Sequence, residues 1–318
     1  MQVWNAIKEF PYSCQQIITI VELSGNTESK PFMLNALTVD VEEHFQVEAF
    51  AERIAPSSWE SNESRVERNV DRILGILHSY NATATFFVLG WVAERFPDLL
   101  RTIADAGHEI GCHGFNHHRI HRLTPDQFRE DIRKARHLLA DIAQKPVVCY
   151  RAPSFSITNT TIWALDILAE EGFGIDSSIF PIRHDLYGIP NGERFPHWKT
   201  TPRGYRLFEF PPSTIRRINN NWGIGGGGYL RFAPYIFSRW AIRQLNKRER
   251  QPAMVYFHPW ELDPGQPRIQ APMRSRLRHY TNLSGMQNKI EHLLKDFQFQ
   301  TVSKVCSLSE AFQASRSH

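Results

Sequence analysis

Residues 82–113, ATATFFVLGWVAERFPDLLRTIADAGHEIGCH, contain the repeating unit of the fold. The stretch opens with a short apolar run that ends at Gly90, and such a run is typical of a parallel strand covered on both faces. Residues 91–107 are predicted to form one helix, and residues 108–113 a second short strand. A strand, a helix and a strand in this order predict a βαβ unit.

The same alternation continues on both sides of this unit. Further strands are predicted at 33–41, 146–153, 174–178 and 253–259, and further helices at 65–80, 124–143 and 159–172. This pattern favours an α/β fold with a largely parallel sheet, closed or nearly closed into a barrel. Residues 182–235 interrupt the rhythm with many Pro, Gly and aromatic residues, which indicates an insertion over the mouth of the sheet.

The composition is that of a globular protein. The chain has 318 residues, of which 42% are hydrophobic and 22% charged, with a net charge of +4. Two clusters of basic residues, at 239–250 and 268–278, fit solvated faces, with an anionic ligand or partner surface as the alternative. Neither cluster is combined with a nucleic-acid-binding motif, so no nucleic-acid partner is predicted.

The cysteines and the first residues bear on location. The four cysteines are scattered without a paired motif, which favours a reducing compartment. The longest apolar stretch near the start, IITIVEL, is far shorter than the roughly 20 residues of a membrane span. We therefore expect a cytoplasmic protein without a membrane span; the sequence does not indicate an oligomeric state.

Polar residues recur where predicted strands end. In a parallel barrel these ends meet on one face, where active sites are assembled. The residues in question are Asp40, Glu42, His113, His117, Arg151, Asp176 and His258.

Two of these histidines are candidate metal ligands. His113 and His117 are four positions apart, a spacing that directs both imidazoles to one side of a helical turn. Asp40 and Glu42 are two apart in a strand and point to the same face, so either could be the third ligand and the other a base. The alternative is an exposed histidine-rich loop.

A divalent ion beside a carboxylate base predicts hydrolysis by an activated water. His258 is placed to protonate a leaving amine, although it could be a packed core histidine. Arg151 could orient the base carboxylate, and Asp176 could accept a hydrogen bond from His258. Taken singly, Arg151 and Asp176 could also be members of structural ion pairs.

Four segments in order resemble a known family: TVDVEEHF (38–45), HGFNH (113–117), YRAPSFS (150–156) and YFHPWE (256–261). They are similar to the polysaccharide deacetylases of carbohydrate esterase family four, which have the NodB-homology fold. The resemblance covers about residues 34–260. HPWELDPGQPRI and RSRLRHYTNL, at 258–269 and 274–283, also resemble the subgroup associated with exosortase and PEP-CTERM loci.

The resemblance implies a distorted (β/α) barrel of about seven parallel strands. It also implies metal-dependent removal of N-acetyl groups from the amino sugars of a polysaccharide or its precursor, in exopolysaccharide biosynthesis. Zinc is the expected metal, with Co, Ni or Mn as alternatives. The expected domains are an N-terminal extension (1–33), a deacetylase barrel (34–264, with the insertion 182–235) and a C-terminal extension packed on the barrel (265–318).

The resemblance also implies roles for single residues. The base, its orienting partner, the acid and the acid's support are Asp40, Arg151, His258 and Asp176. The metal ligands are His113, His117 and an acidic residue of the first motif. This chain reads Asp-Val-Glu-Glu where many members have two adjacent aspartates, so Glu42 is the expected ligand and Glu43 the alternative.

The glycan pocket is less well marked, because the fourth motif lacks the tryptophan of many relatives. Trp260 or Phe257 is expected to wall the acetyl pocket. Trp222 and Tyr229 offer flat faces to pyranose rings, beside a flexible glycine-rich lip at 223–231.

The predicted partner is an N-acetylated glycan. Three other functions remain open: an allantoinase-like hydrolase of small amides, a carbohydrate-binding protein without turnover, and an iron oxygenase with a two-histidine, one-carboxylate site.

Overall fold

The computed structural model describes residues 33–184 and 187–314. Its strands are β1 (Leu34–Val41), β2 (Thr85–Val88), β3 (Glu109–Cys112), β4 (Cys149–Tyr150), β5 (Ile175–Asp176), β6 (His197–Thr200), β7 (Arg206–Glu209), β8 (Thr214–Arg217), β9 (Asn220–Gly223), β10 (Met254–Phe257) and β11 (Gln298–Gln300). Its α-helices are α1 (Val66–Ser79), α2 (Gly90–Arg95), α3 (Pro97–Asp105), α4 (Pro125–Ala143), α5 (Ala164–Glu170), α6 (Gly227–Phe232), α7 (Tyr235–Gln244), α8 (Met273–Tyr280), α9 (Met286–Asp296) and α10 (Val302–Ala314).

The main sheet is parallel over most of its width. Seven strands follow one another in the order β10-β1-β2-β3-β4-β5-β7, and every neighbouring pair is parallel. β6 lies antiparallel on β7, and β11 pairs with the first residues of β1. The expected α/β fold, a distorted barrel with about seven parallel strands, is confirmed.

The βαβ unit that opened the sequence analysis differs in one respect. Its helix is divided into α2 and α3, because Phe96 has a non-helical conformation (φ −128°, ψ 62°) directly before Pro97. Proline disfavours a helical residue before it and cannot donate a backbone hydrogen bond, so it begins a new helix instead of continuing the old one.

Alternation along the strands separates an outer and an inner face. The outer face packs against the helices and includes Val39, Phe86, Tyr150 and Phe257. The inner face has a smaller apolar cluster, which α10 completes with Val302 and Val305. Asp40 is two residues from Thr38 and four from Ala36, so it shares their inner side, beyond this apolar floor.

Residues 182–235, predicted as an insertion, contribute β6 and β7 to the main sheet. Their glycine run is packed backbone and not a flexible lip. The N–H of Tyr256 donates to the carbonyl of Gly225 at 2.6 Å. A Cβ on Gly225 would lie 2.2 Å from the carbonyl oxygen of Met254, so only glycine allows this segment to lie against β10.

The proposed domain boundaries stay a prediction. Apart from Met33, the expected N-terminal extension (1–33) lies outside the described residues. In the expected C-terminal extension, β11 joins the main sheet and α10 packs on its inner face. Within the described part of the chain, no helix has the length and hydrophobicity needed to cross a bilayer.

Candidate metal centre and active site

A buried ion pair occupies the inner face of the barrel. Nη1 of Arg151 donates to Oδ1 of Asp40 at 2.6 Å and to Oγ1 of Thr38 at 2.7 Å. Nη2 donates to Oγ of Ser177 at 2.9 Å, and the guanidinium lies over the ring of Phe87. Because Arg151 is fully buried and held from several sides, it fixes the orientation of the Asp40 carboxylate.

Glu42, His113 and His117 lie together beside this pair. One ligand atom from each can be chosen so that all three lie within 4.8 Å of one another. Nδ1 of His113 lies 2.8 Å from the carbonyl oxygen of Arg151, so it carries the proton and leaves Nε2 free to bind a cation. Burial lowers the pKa of His113 to about 4, which favours the neutral form that metals bind.

The donor set fits a divalent cation. Oε2 of Glu42 lies 2.7 Å from Nε2 of His117, and no other donor among the described residues reaches this buried oxygen. A shared cation would satisfy both atoms at once. Two imidazoles and one carboxylate leave a coordination position open, as in catalytic zinc sites.

The two histidines converge through a loop and not through the helical turn that their spacing suggested. Gly114 (φ +76°) and His117 (φ +54°) both have left-handed conformations. The N–H of Phe115 donates to Oδ2 of Asp131 in α4 at 2.8 Å, which anchors the loop. A left-handed residue reverses the chain, so His117 turns back toward His113 and their ring centroids lie 5.3 Å apart.

Glu43 points away from this cluster. Its carboxylate accepts the backbone N–H groups of Arg65 and Val66 at 3.0 and 3.1 Å, at the beginning of α1. It therefore satisfies free donors at a helix N-terminus, where a negative charge is favoured. The side chain that faces both histidines is Glu42.

His258 faces both carboxylates of the site. Its Nε2 lies 3.9 Å from Oδ2 of Asp40 and 3.6 Å from Oε1 of Glu42. Burial by itself lowers the pKa of His258, but the negative charges of Glu42, Glu261 and Asp40 outweigh it and raise the pKa to about 9. The imidazole is a proton donor placed at the edge of the cluster.

Glu261 is a residue of the site that the sequence analysis missed. Its Oε2 lies 3.1 Å from Nδ1 of His258 and accepts the backbone N–H of His258 at 3.0 Å. Its Oε1 accepts from Nε of the buried Arg231 at 2.5 Å. The three-residue spacing in HPWE, typical of a capping box, was the available signal.

Asp176 does not reach His258, contrary to the sequence prediction. It lies opposite Tyr150 in the sheet and therefore points to the outer, helix-covered face. Its Oδ1 accepts from Oγ of Ser178 at 2.5 Å, and its neighbour in β7 is Glu209. The prediction used the position of Asp176 at a strand end but not the face to which it points.

The predicted pocket residues are distributed differently. Phe257 is fully buried in the outer core and cannot contact a glycan. Trp260 is also buried: Nε1 donates to Oε1 of Glu42 at 3.1 Å, and its ring stacks on His258. Tyr229 is partly buried against Phe180. Trp222, on the β8–β9 hairpin, is exposed.

Two family models match consecutive parts of the chain. Residues 59–171 match the family model of polysaccharide deacetylases, and residues 177–307 match a domain of unknown function, DUF3473. The first match contains His113, His117 and Arg151, and the second contains His258 and Glu261. β1, with Asp40, precedes both.

Two curated relatives are deacetylases. A peptidoglycan deacetylase of Helicobacter pylori is 32% identical over 113 residues, which are 36% of this chain and 38% of the relative. A peptidoglycan-N-acetylglucosamine deacetylase of Bacillus cereus is 34% identical over 96 residues, 30% of this chain and 35% of the relative. The matched segments span little more than a third of either relative.

A solved structure extends the likeness of fold to nearly the whole chain. A polysaccharide deacetylase homologue from Mycobacterium smegmatis superposes with a TM-score of 0.58 at 22% identity, covering 91% of this chain and 95% of that one.

The fold and the polar cluster at the carboxyl ends of its strands define a (β/α)-barrel of the kind that carries enzyme active sites on this face. Residues 59–171 match the polysaccharide deacetylase family, and the fold of the chain is that of a polysaccharide deacetylase homologue.

Proposed function

We propose that this chain is a divalent-metal-dependent N-deacetylase, which hydrolyses the acetamide of an N-acetylated sugar to acetate and a free amine. The observation that carries the proposal is the convergence of Glu42, His113 and His117 beside Asp40. The paired Arg151 and the imidazole of His258 complete the groups that amide hydrolysis needs.

Asp40 is the proposed base. A divalent cation held by Glu42, His113 and His117 would polarise the acetamide carbonyl and acidify water. Asp40 would then accept the proton of the attacking water, since its Oδ1 is held by Arg151 and its Oδ2 faces the cluster. The fixed guanidinium keeps the carboxylate correctly oriented.

His258 is the proposed acid. Breaking the C–N bond of the tetrahedral intermediate requires a proton on the leaving nitrogen. Nε2 of His258 points into the cluster, while Glu261 holds Nδ1 and fixes the ring. We assign Glu261, supported by Arg231, the positioning role that the sequence suggested for Asp176.

The proposed substrate is an amino sugar of a polysaccharide or its lipid-linked precursor, in exopolysaccharide biosynthesis. The names of the two relatives, both acting on peptidoglycan, support an N-acetylated glycan as the substrate class. Zinc is the proposed metal, with cobalt, nickel or manganese as alternatives. The exosortase-associated subgroup and a cytoplasmic location stay predictions.

Acetate release tests the proposal. The protein is stripped with a chelator, reloaded with one metal at a time and assayed on N-acetylated oligosaccharides and on allantoin. Acetate from the oligosaccharides, dependent on metal and lost in His113→Ala, is the expected result. Consumption of allantoin alone would make the chain a small-amide hydrolase. Glycan binding without acetate release from any metal-loaded form would make it a binding protein.

A further inference from the structure

The exposed side of α7 carries an apolar stripe. Ile236 and Trp240 are one helical turn apart and expose 67% and 43% of their surface, and Phe232, at the end of α6, exposes 54%. The opposite side of α7 is buried in the core through Ala241 and Ile242. Contiguous exposed apolar residues of this size mark interaction sites in soluble proteins.

The stripe continues into positive charge. Arg243 and Lys247 follow Trp240 on the same side, at further steps of a helical turn, and both are exposed. Arg248 and Arg250 are exposed next to them, while the nearby Glu249 is paired with Arg194. This side of α7 therefore has solvent-exposed basic residues at one end and apolar residues at the other, and α7 carries no carboxylate.

A second stripe of the same kind lies nearby. α8 exposes Met273 and Leu277, which are one turn apart, between exposed arginines. The buried guanidinium of Arg231, next to Phe232, donates to the backbone carbonyls of Arg278 and His279, which ties the end of α8 to α6. Between Asp263 and Glu291 the sequence contains no acidic residue.

We propose that the stripe Phe232–Ile236–Trp240, with Arg243 and Lys247, docks the protein on an anionic lipid bilayer. Aromatic and aliphatic side chains enter the boundary between headgroups and acyl chains, while lysine and arginine contact the anionic headgroups. The charge favours this partner over an apolar protein surface, because basic side chains in a dry protein interface would need carboxylates opposite them. Docking is independent of the proposed deacetylation, since none of these side chains contacts the metal cluster.

Co-sedimentation with vesicles tests the proposal. The whole protein is mixed with vesicles of phosphatidylcholine alone, or with roughly 30% phosphatidylglycerol. The expected result is binding to the anionic vesicles only, weakened by added salt. Arg243→Glu with Lys247→Glu should reduce the partition coefficient at least about tenfold, since it replaces two side chains that attract anionic headgroups by two that are repelled.

Matched variants distinguish binding through the stripe from non-specific binding by any exposed tryptophan or by net charge. Trp198, on β6, has the same exposure as Trp240, 43%, so Trp198→Ser should leave binding unchanged where Trp240→Ser weakens it. Arg216→Glu with Arg217→Glu makes the same charge change on the β8–β9 hairpin and should have little effect. Thermal melts establish that each variant is folded.

Three outcomes would overturn the proposal. The first is no binding to anionic vesicles at any lipid concentration. The second is an equal loss in the two charge-reversal pairs, which would mean attraction by net charge without a docking surface. The third is a dimer in analytical ultracentrifugation that Trp240→Ser dissociates, which would make the stripe an interface between two copies. Acetate release from soluble oligosaccharides is measured in parallel and should be unchanged in every variant.

Discussion

The barrel contains two pairs of buried carboxylates, and they are held in opposite ways. Asp40 and Glu42 lie on the inner side among Arg151 and three histidines. Burial alone would raise the pKa of Glu42, but His117 and His258 hold it well below the usual value. Glu42 is therefore a charged carboxylate, and the groups around this pair stabilise negative charge.

Asp176 and Glu209 lie on the outer face, where helices cover the sheet. Burial raises the pKa of both. The charge of Asp176 raises the pKa of Glu209 further, while a hydrogen bond with Glu209 partly offsets the rise for Asp176. Oδ2 of Asp176 and Oε2 of Glu209 have no donor in the part of the chain that is described, so one shared proton would satisfy both. The comparison teaches that a carboxylate at a strand end reaches the candidate site only when its side chain points inward.

Substitution of the inner pair should have the largest effect. We expect Asp40→Asn to lower kcat for acetate release by about 10²–10⁴-fold, the typical contribution of a general base. Asp176→Asn, the matched change in the outer pair, should leave kcat within a few fold. Equal losses in the two variants, at equal metal content, would contradict the assignment of Asp40.

Removal of the Arg151 guanidinium from the buried ion pair should lower the stability of the protein. Arg151→Met leaves Asp40 buried without a partner, so we expect the free energy of unfolding to fall by about 3–5 kcal/mol in urea denaturation. Arg101→Met breaks an exposed pair with Asp98 and should cost less than about 1 kcal/mol. A small loss for Arg151→Met would contradict the claim that this guanidinium holds the buried carboxylate of Asp40 in place.

The support of His258 should have an intermediate effect. Glu261→Gln keeps the size of the side chain but removes the charge that favours the protonated imidazole, so we expect kcat/KM to fall roughly 10–100-fold. The alkaline limb of the pH–rate profile of the metal-loaded protein should also move to lower pH. A purely structural role would lower the amount of folded protein and leave the position of that limb unchanged.

The outer pair, Asp176 and Glu209, should change how the stability of the protein depends on pH. The pKa values of Asp176 and Glu209 are raised in the folded state. The pair therefore contributes fully to the free energy of unfolding below the ordinary values of 3.8 and 4.5, and this contribution is lost as pH rises through the raised values. Glu209→Gln cannot ionise, so its free energy of unfolding should fall less steeply with pH. Glu60→Gln, at an exposed position, is the control and should follow the wild type.

Much of this arrangement follows from the sequence, because the hydrophobic pattern alternates between that of strands and that of helices, and because polar residues lie at strand ends. The sequence analysis brought Asp40, His113, His117 and His258 to one end of the barrel, where the structure has them. It failed at Asp176 because a two-residue strand carries no readable alternation. It missed Glu261 because its link to His258 depends on a short turn after β10 and on Arg231 from a distant helix.

Isothermal titration calorimetry of the metal-free protein with Zn²⁺ tests the central claim most directly. We expect one tight site per chain in the wild type and in Asp176→Asn, and its loss in His113→Ala and in Glu42→Gln. Undiminished zinc binding by both of these ligand variants, each shown to be folded, would contradict the claim that Glu42, His113 and His117 form the metal site.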